Sequence, residues 1–288
     1  MKPWITVLLF LTARSAACAQ SQPGLGPEAL KVWREAGRRY DLADPRNLFH
    51  VGYVEVYSGN DEAGNELMRH ALSLMDSVSG ETYEELSVQN TKNGNHMEAV
   101  AALEKAVALD PRIYGYYGWV LLYYYHDYAK ALECLEKYDA LTPGFSDAPA
   151  GEDIHHLKGL CYMQLGDPEK AVGQFDVYIG ETVRSYGEEW VDPYTFAYKG
   201  RCLQRLRRTE EALLCYDAAV RVYKYNTEAH YYKALALLDL GRRAEARVHL
   251  LRAAELAGQN YFYRDVYVEF FEAVYRQDIE AALAGMGK

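Results

Sequence analysis

The chain has no surplus of positive charge: 31 Lys and Arg stand against 41 Asp and Glu over 288 residues, a net charge of −10. Nucleic acid demands a basic surface to meet its phosphates, and an anionic membrane surface does the same, so both are disfavoured as partners. Long apolar runs are also missing. The longest, Trp4 to Ala13, falls short of the roughly 20 residues that span a bilayer. Cysteine is sparse, at five, which excludes a disulfide-stapled scaffold. Catalytic signatures are lacking too. There is no Gly-rich phosphate loop, no HExxH, no Gly-x-Ser-x-Gly and no Cys-x-x-Cys. The adjacent His155 and His156 would point about 100° apart on a helix and so make a poor metal pair. The expectation is therefore no enzyme, no metal and no cofactor.

What is present is tyrosine, 26 residues against 8 Phe and 4 Trp. A buried Tyr hydroxyl must find a partner, so this excess fits half-wet positions, on a groove wall or between amphipathic helices.

The first 19 residues have the order of a secretory signal: Lys2, then the apolar run, then small residues through Ala19. Cleavage after Ala17-Cys18-Ala19 would leave Gln20 first. Alternatively Ser15-Ala16-Ala17-Cys18 resembles a lipoprotein box, with Cys18 acylated and the chain thereby membrane-anchored. Either way an exported protein is expected, periplasmic or associated with the outer membrane in a bacterium. Simple cleavage leaves Cys134, Cys161, Cys202 and Cys215, which lie within apolar helical patterns and read as small buried hydrophobes or as possible disulfide partners.

A repeat organises the rest. Gly94-Asn95-His96-Met97-Glu98-Ala99, Asp127-Tyr128-Ala129-Lys130-Ala131, Gly166-Asp167-Pro168-Glu169-Lys170-Ala171, Arg208-Thr209-Glu210-Glu211-Ala212 and Gly241-Arg242-Arg243-Ala244-Glu245-Ala246 each give a turn, charged residues, an Ala and a large residue four later. Upstream stand the small residues Gly52, Gly159, Gly200 and Ala234. Small side chains let two antiparallel helices close to roughly 8–10 Å. The segment resembles the tetratricopeptide-repeat family, whose period is 34 residues. The resemblance implies an all-α fold: an α-solenoid of about six helical hairpins, at 48–76, 81–111, 113–143, 152–180, 193–224 and 227–257. Ser87 stands at the crossing of the second, and the third slips by one residue around Trp119. Gly144–Gly151 and Glu181–Asp192 read as insertions. The expected divisions are a signal peptide at 1–19, a linker and capping helix at 20–46, the solenoid at 47–258 and a C-terminal cap at 259–288. In that cap Tyr261 to Leu283 shows helical spacing, with Phe270, Phe271, Val274 and Tyr275 on one face, and 278–283 can restart as a truncated second helix.

In this family the first helices line the concave face. That places Tyr116, Tyr123, Tyr124, His156, Met163, Tyr194, Arg201, Arg205 and Tyr231 in a groove for a protein or peptide. The Lys, Asn and Arg set with which some members clamp a C-terminal carboxylate is not present. The resemblance thus implies a binding scaffold, and the Lys2 to Ala19 pattern places it in the cell envelope. Glycan or peptidoglycan binding through the Tyr-rich groove, or a place as a lipoprotein in outer-membrane assembly, are the alternatives.

Overall fold

A computed structural model describes residues 24–286; the expected signal segment 1–19, with Cys18, and the expected first mature residue Gln20 lie outside the described residues. All regular structure among these is helical. The chain divides into two compact units, the first ending at Asp110 and the second beginning at Pro111.

Unit 1 contains α1 (Pro27–Ala36), α2 (Pro45–Tyr57), α3 (Asp61–Leu74), α4 (Gly80–Lys92) and α5 (His96–Leu109). Helices α2/α3 and α4/α5 pair as hairpins, and α1 packs on α3 as the expected N-terminal cap. Their apolar stripes meet in one core that includes Leu48, Phe49, Leu67, Met68 and Leu86. A reciprocal amide pair, Asn65 with Asn90, is buried in this unit, with both bonds at 2.8 Å.

Unit 2 contains four further hairpins. They are α6 (Tyr114–Val120) with α7 (Tyr128–Asp139), α8 (Ile154–Gln164) with α9 (Pro168–Ser185), α10 (Pro193–Arg205) with α11 (Thr209–Val222), and α12 (Thr227–Asp239) with α13 (Arg243–Gly258). A last helix, α14 (Arg276–Gly285), packs on α13. All six expected hairpins are therefore formed.

Local chemistry sets the boundaries. Carboxylates of Asp44, Asp127, Asp153, Asp167 and Asp192 cap the helices that follow them by accepting from backbone N–H groups, which satisfies donors the helix leaves orphaned. Within every hairpin the residue two before the second helix is left-handed: Gly59, Gly94, His126, Gly166, Arg207 and Gly241. Glycine takes this conformation without steric cost; His126 and Arg207 do not, and there the turn is closed by backbone bonds from Asp127 N–H to the Leu121 carbonyl and from Arg208 N–H to the Leu203 carbonyl.

The crossings are as tight as the small residues require. A Cβ on Gly159 would lie 2.4 Å from the Phe175 ring, and one on Gly200 2.6 Å from the Tyr216 ring. On Gly52 it would meet the Gly64 carbonyl at 2.6 Å. The crossing of the third hairpin is Gly118, against Leu135. There the first helix ends in a π turn, Leu121–Tyr125, which inserts an extra residue. That insertion is the one-residue slip visible around Trp119.

Two expectations need correction. Helix α9 runs on to Ser185, so the insertion after the fourth hairpin is shorter than Glu181–Asp192 and holds a single 3-10 turn, Glu188–Trp190. The stretch 259–275 is irregular rather than helical, and the C-terminal cap is reduced to α14.

Candidate functional site

The first helices of unit 2 present one aromatic face, and the irregular stretch lies on it. Tyr123, carried by the π turn, stacks on Phe271 with centroids 5.6 Å apart and meets Phe270 edge-on. His126 and Tyr128 close over the far side of Phe271. Tyr194 of α10 stacks on Tyr263 at 3.7 Å, and Tyr263 stacks in turn on Phe270 at 3.8 Å. The rings thus run face, segment, segment, face, from Tyr194 through Tyr263 and Phe270 to Tyr123, with the last contact edge-on.

Polar groups fix the segment's register. Arg201 Nε donates to Glu272 Oε2 at 2.8 Å, and Arg205 Nη2 donates to Glu272 Oε1. Both carboxylate oxygens are therefore held by guanidinium groups, the strong charge-assisted arrangement. Arg201 also lies over the Tyr232 ring, 4.3 Å from its centroid. Three bonds address the segment's main chain. Tyr232 Oη donates to the Glu272 carbonyl at 3.0 Å, Glu228 Oε1 accepts from the Tyr263 N–H at 3.0 Å, and Thr227 Oγ1 donates to the Tyr261 carbonyl. The space left between face and segment is about 10 Å³, no more than one water needs.

Burial dominates the electrostatics. It raises the phenol pKa of Tyr123, Tyr194, Tyr198, Tyr232 and Tyr263, and that of the Glu228 carboxyl. For Arg201 burial pulls downward, but the Glu272 carboxylate outweighs it and the net shift is upward. The phenols thus stay neutral, and those of Tyr123 and Tyr232 donate hydrogen bonds; Arg201 stays charged.

The sequence-derived residues separate into groups. Tyr123, Tyr194, Arg201 and Arg205 come together on the face and touch the segment. Tyr116 and Tyr124 flank Trp119, at 6.0 and 5.6 Å, whose Nε1 donates to Glu152 Oε1 while Tyr123 Oη donates to Glu152 Oε2, both at 2.7 Å. Tyr231 packs edge-on against Tyr232. His156 and Met163 do not line the groove. His156 is 4% exposed, hydrogen-bonded through Nδ1 to Thr195 and enclosed by Phe175, Tyr178 and Tyr198, and Met163 is 1% exposed. Asp153 caps α8, and His156 Nε2 lies 3.6 Å from Glu152 Oε2, the carboxylate that Tyr123 also bonds.

The sequence reading missed Tyr198, Glu228, Tyr232 and the segment itself. The signal available was its composition: Val266, Tyr267, Val268, Phe270 and Phe271 are β-branched or aromatic, residues that favour extended chain. Unit 1 offers an unfilled counterpart, an open hollow of about 890 Å³ lined by Arg46, Phe49, His50 and Tyr53 of α2 and Thr82 and Glu85 of α4. Among the described residues no group of three or more His, Cys, Asp or Glu is placed to hold a metal ion, and no helix is long and apolar enough to cross a membrane. Cys134, Cys161, Cys202 and Cys215 are unbridged and buried.

Fold and site together define an all-α helical-hairpin repeat protein whose first helices in unit 2 carry an aromatic face covered by a segment of the same chain. Residues 152–172 and 199–261 match tetratricopeptide-repeat family profiles. The TPR repeat-containing protein YpiA of Bacillus subtilis (strain 168) is 25% identical over 224 residues, covering 75% of this chain and 48% of that protein. The chain therefore spans about half the length of the curated relative it matches. Among solved structures, that of pilF from Pseudomonas aeruginosa superimposes with a TM-score of 0.54 at 19% identity, covering 83% of this chain and 98% of that one. A MamA structure gives 0.52 at 16% identity over 66% and 98% of the two chains. The APC/C hetero-tetramer Cut9–Hcn1 gives 0.54 at 15% identity over 91% and 46%. At such identities the likeness is one of fold.

Proposed function

We propose that this chain is a protein-binding scaffold that grips a polypeptide segment on the first-helix face of its repeats, and that it works in a bacterial cell envelope. One observation carries the first part: the face of unit 2 already holds an irregular, folded-back polypeptide segment, through ring stacking, paired arginines and bonds to the main chain. Such a face reads peptide backbone as well as side chains, which favours a protein segment over a glycan. The Cut9–Hcn1 assembly, of similar fold, is itself a protein–protein complex. Export rests on the Lys2 to Ala19 pattern.

Binding energy concentrates in a few aromatic and Arg anchors. Tyr124→Ala combined with Tyr231→Ala should therefore cut partner capture from the native host at least tenfold. Arg247→Glu, exposed on the second helix α13, should leave it unchanged. Loss of capture with the α13 change alone would place the partner on the other side. For export, N-terminal mass analysis should find a chain beginning at Gln20 or at acylated Cys18; an intact Met1 would contradict it.

A further inference from the structure

The segment on the face is not the cap of the repeat array. Arg276 Nη2 donates to the Ala257 carbonyl at 2.9 Å, so the chain returns after residues 259–275 to the place it left. The capping role belongs to α14, which packs on α13 and buries Ile279. The excursion is closed at its base by Arg264, whose Nη2 donates to the Val274 carbonyl at 2.5 Å. Its tip reaches solvent: Val266 is 89% exposed and Tyr267 54%. Loops this long without regular structure are uncommon in compact folds, and most serve a function. Glu272, the residue gripped by both arginines, sits at φ +54°, a left-handed conformation that costs any residue with a Cβ. A segment free of the loop's closure could present the same carboxylate without that strain.

We propose that residues 262–273 are a ligand in cis for the first-helix face of unit 2. The partner of that face carries a folded-back segment with a stacked ring pair and with two adjacent aromatics followed by a carboxylate, and binds by displacing the loop. The proposal rests on the reading of this face as a peptide-binding surface. Each part of the chemistry has its receptor. Phe271 fits the slot made by Tyr123, His126 and Tyr128, and Tyr263, itself stacked on Phe270, fits against Tyr194. The carboxylate fits between Arg201 and Arg205, and Glu228 and Tyr232 take the main chain. A tethered segment competes at high effective concentration, so the closed chain binds such a partner weakly and an opened one binds it well.

The test is fluorescence anisotropy with a fluorescein-labelled peptide of residues 260–275. The receptors are the full chain, its Phe271→Ala/Glu272→Ala variant, and a full chain in which 260–274 is replaced by a short Gly-Ser linker. The linker variant serves if the double substitution fails to fold. Both opened chains should bind the peptide at least tenfold more tightly than the unaltered chain. Adding Arg201→Glu should remove that binding, and a peptide with Glu272→Lys should bind at least tenfold more weakly. Equal affinity for closed and opened chains, or no binding by opened chains of native helicity, would overturn the proposal. A dimer of the unaltered chain that dissociates in the linker variant would overturn it too, by showing that the segment's seat is on a second copy. If the peptide fails while Tyr124→Ala/Tyr231→Ala still abolishes partner capture, the scaffold reading stands and the ligand in cis falls. If the peptide binds and that capture is unaffected, the scaffold reading falls.

Discussion

Arg276 and Ala257, nineteen residues apart in sequence, meet at 2.9 Å through a guanidinium–carbonyl bond. The chain between them is consequently a closed loop whose two ends are held independently of its tip. Regions with few buried contacts open first. Limited chymotrypsin should cut at Tyr267 before any site in the hairpins, and the two fragments should co-elute on size exclusion. First cleavage inside α10 or α12 would contradict this.

The crossings predict where bulk cannot be added. At Gly159 a Cβ would lie 2.4 Å from the Phe175 ring, so Gly159→Leu must push two helices apart. Overpacking of this kind costs about 1–3 kcal/mol. Ala212→Phe, at a position with no exposure beside the Gly200–Tyr216 contact, should cost a similar amount. An unchanged urea midpoint for either would refute the assigned register.

Asn65 and Asn90 satisfy each other where water does not reach, with 4% and 0% exposure. Asn65→Leu should destabilise unit 1 by about 1–3 kcal/mol, because it strands part of a buried amide. The Asn65→Leu/Asn90→Leu double change should cost less than the sum of the single ones. Additive losses in a double-mutant cycle would show that the pair is not coupled.

His230 and His249 face each other with their Nδ1 atoms 3.0 Å apart. Burial lowers the His230 pKa to about 4, with His249, Arg252 and Lys233 adding positive potential; burial lowers that of His249 as well. An unfolded His titrates near 6.5, so the unfolded chain binds more protons between about pH 6.5 and 4. This contribution is fully present above that window and is lost as pH falls through it, by as much as about 3 kcal/mol for His230. The raised carboxyl pKa values of Asp192 and Glu228 act in the opposite sense in acid, so the imidazole itself is the proper probe. Its Hε1 resonance should stay in the neutral position to about pH 5 and titrate near 4. Titration near 6.5 would mean that the ring is not buried.

The four cysteines should be inert. Burial pushes the thiol pKa of Cys134 and Cys215 up to about 11 and that of Cys202 to about 12, and raises that of Cys161 further. Thiolate is the reactive form. A thiol reagent at neutral pH should label none of them until denaturant is added, and then all four. Rapid labelling of the native chain would contradict their placement.

The hairpins were legible because their determinants are local. Gly52, Gly159, Gly200 and Ala234 mark crossings that depend on twelve-residue offsets to Gly64, Ala171, Ala212 and Ala246. Even the irregular third hairpin announced itself at Trp119, one residue of slip for one residue of π turn. The loop was not legible because apolar spacing does not name the surface it packs on. Phe270, Phe271, Val274 and Tyr275 share a helical spacing, yet Phe270 and Phe271 bury themselves on Tyr123 and Tyr263 from an irregular chain. The same limit applies to Arg201 and Arg205. Their place on the first-helix face was foreseeable, while their engagement by Glu272 of the same chain depends on a contact 71 and 67 residues away.

Site-specific photo-crosslinking in the native host tests the working surface most directly. A benzophenone amino acid would replace Tyr124 or Tyr231 on the first-helix face or, as control, Arg247 on α13. Crosslinked partner should form from positions 124 and 231 and not from 247. Crosslinks from 247 alone would show that partners bind the second helices and that the aromatic face serves only its own loop.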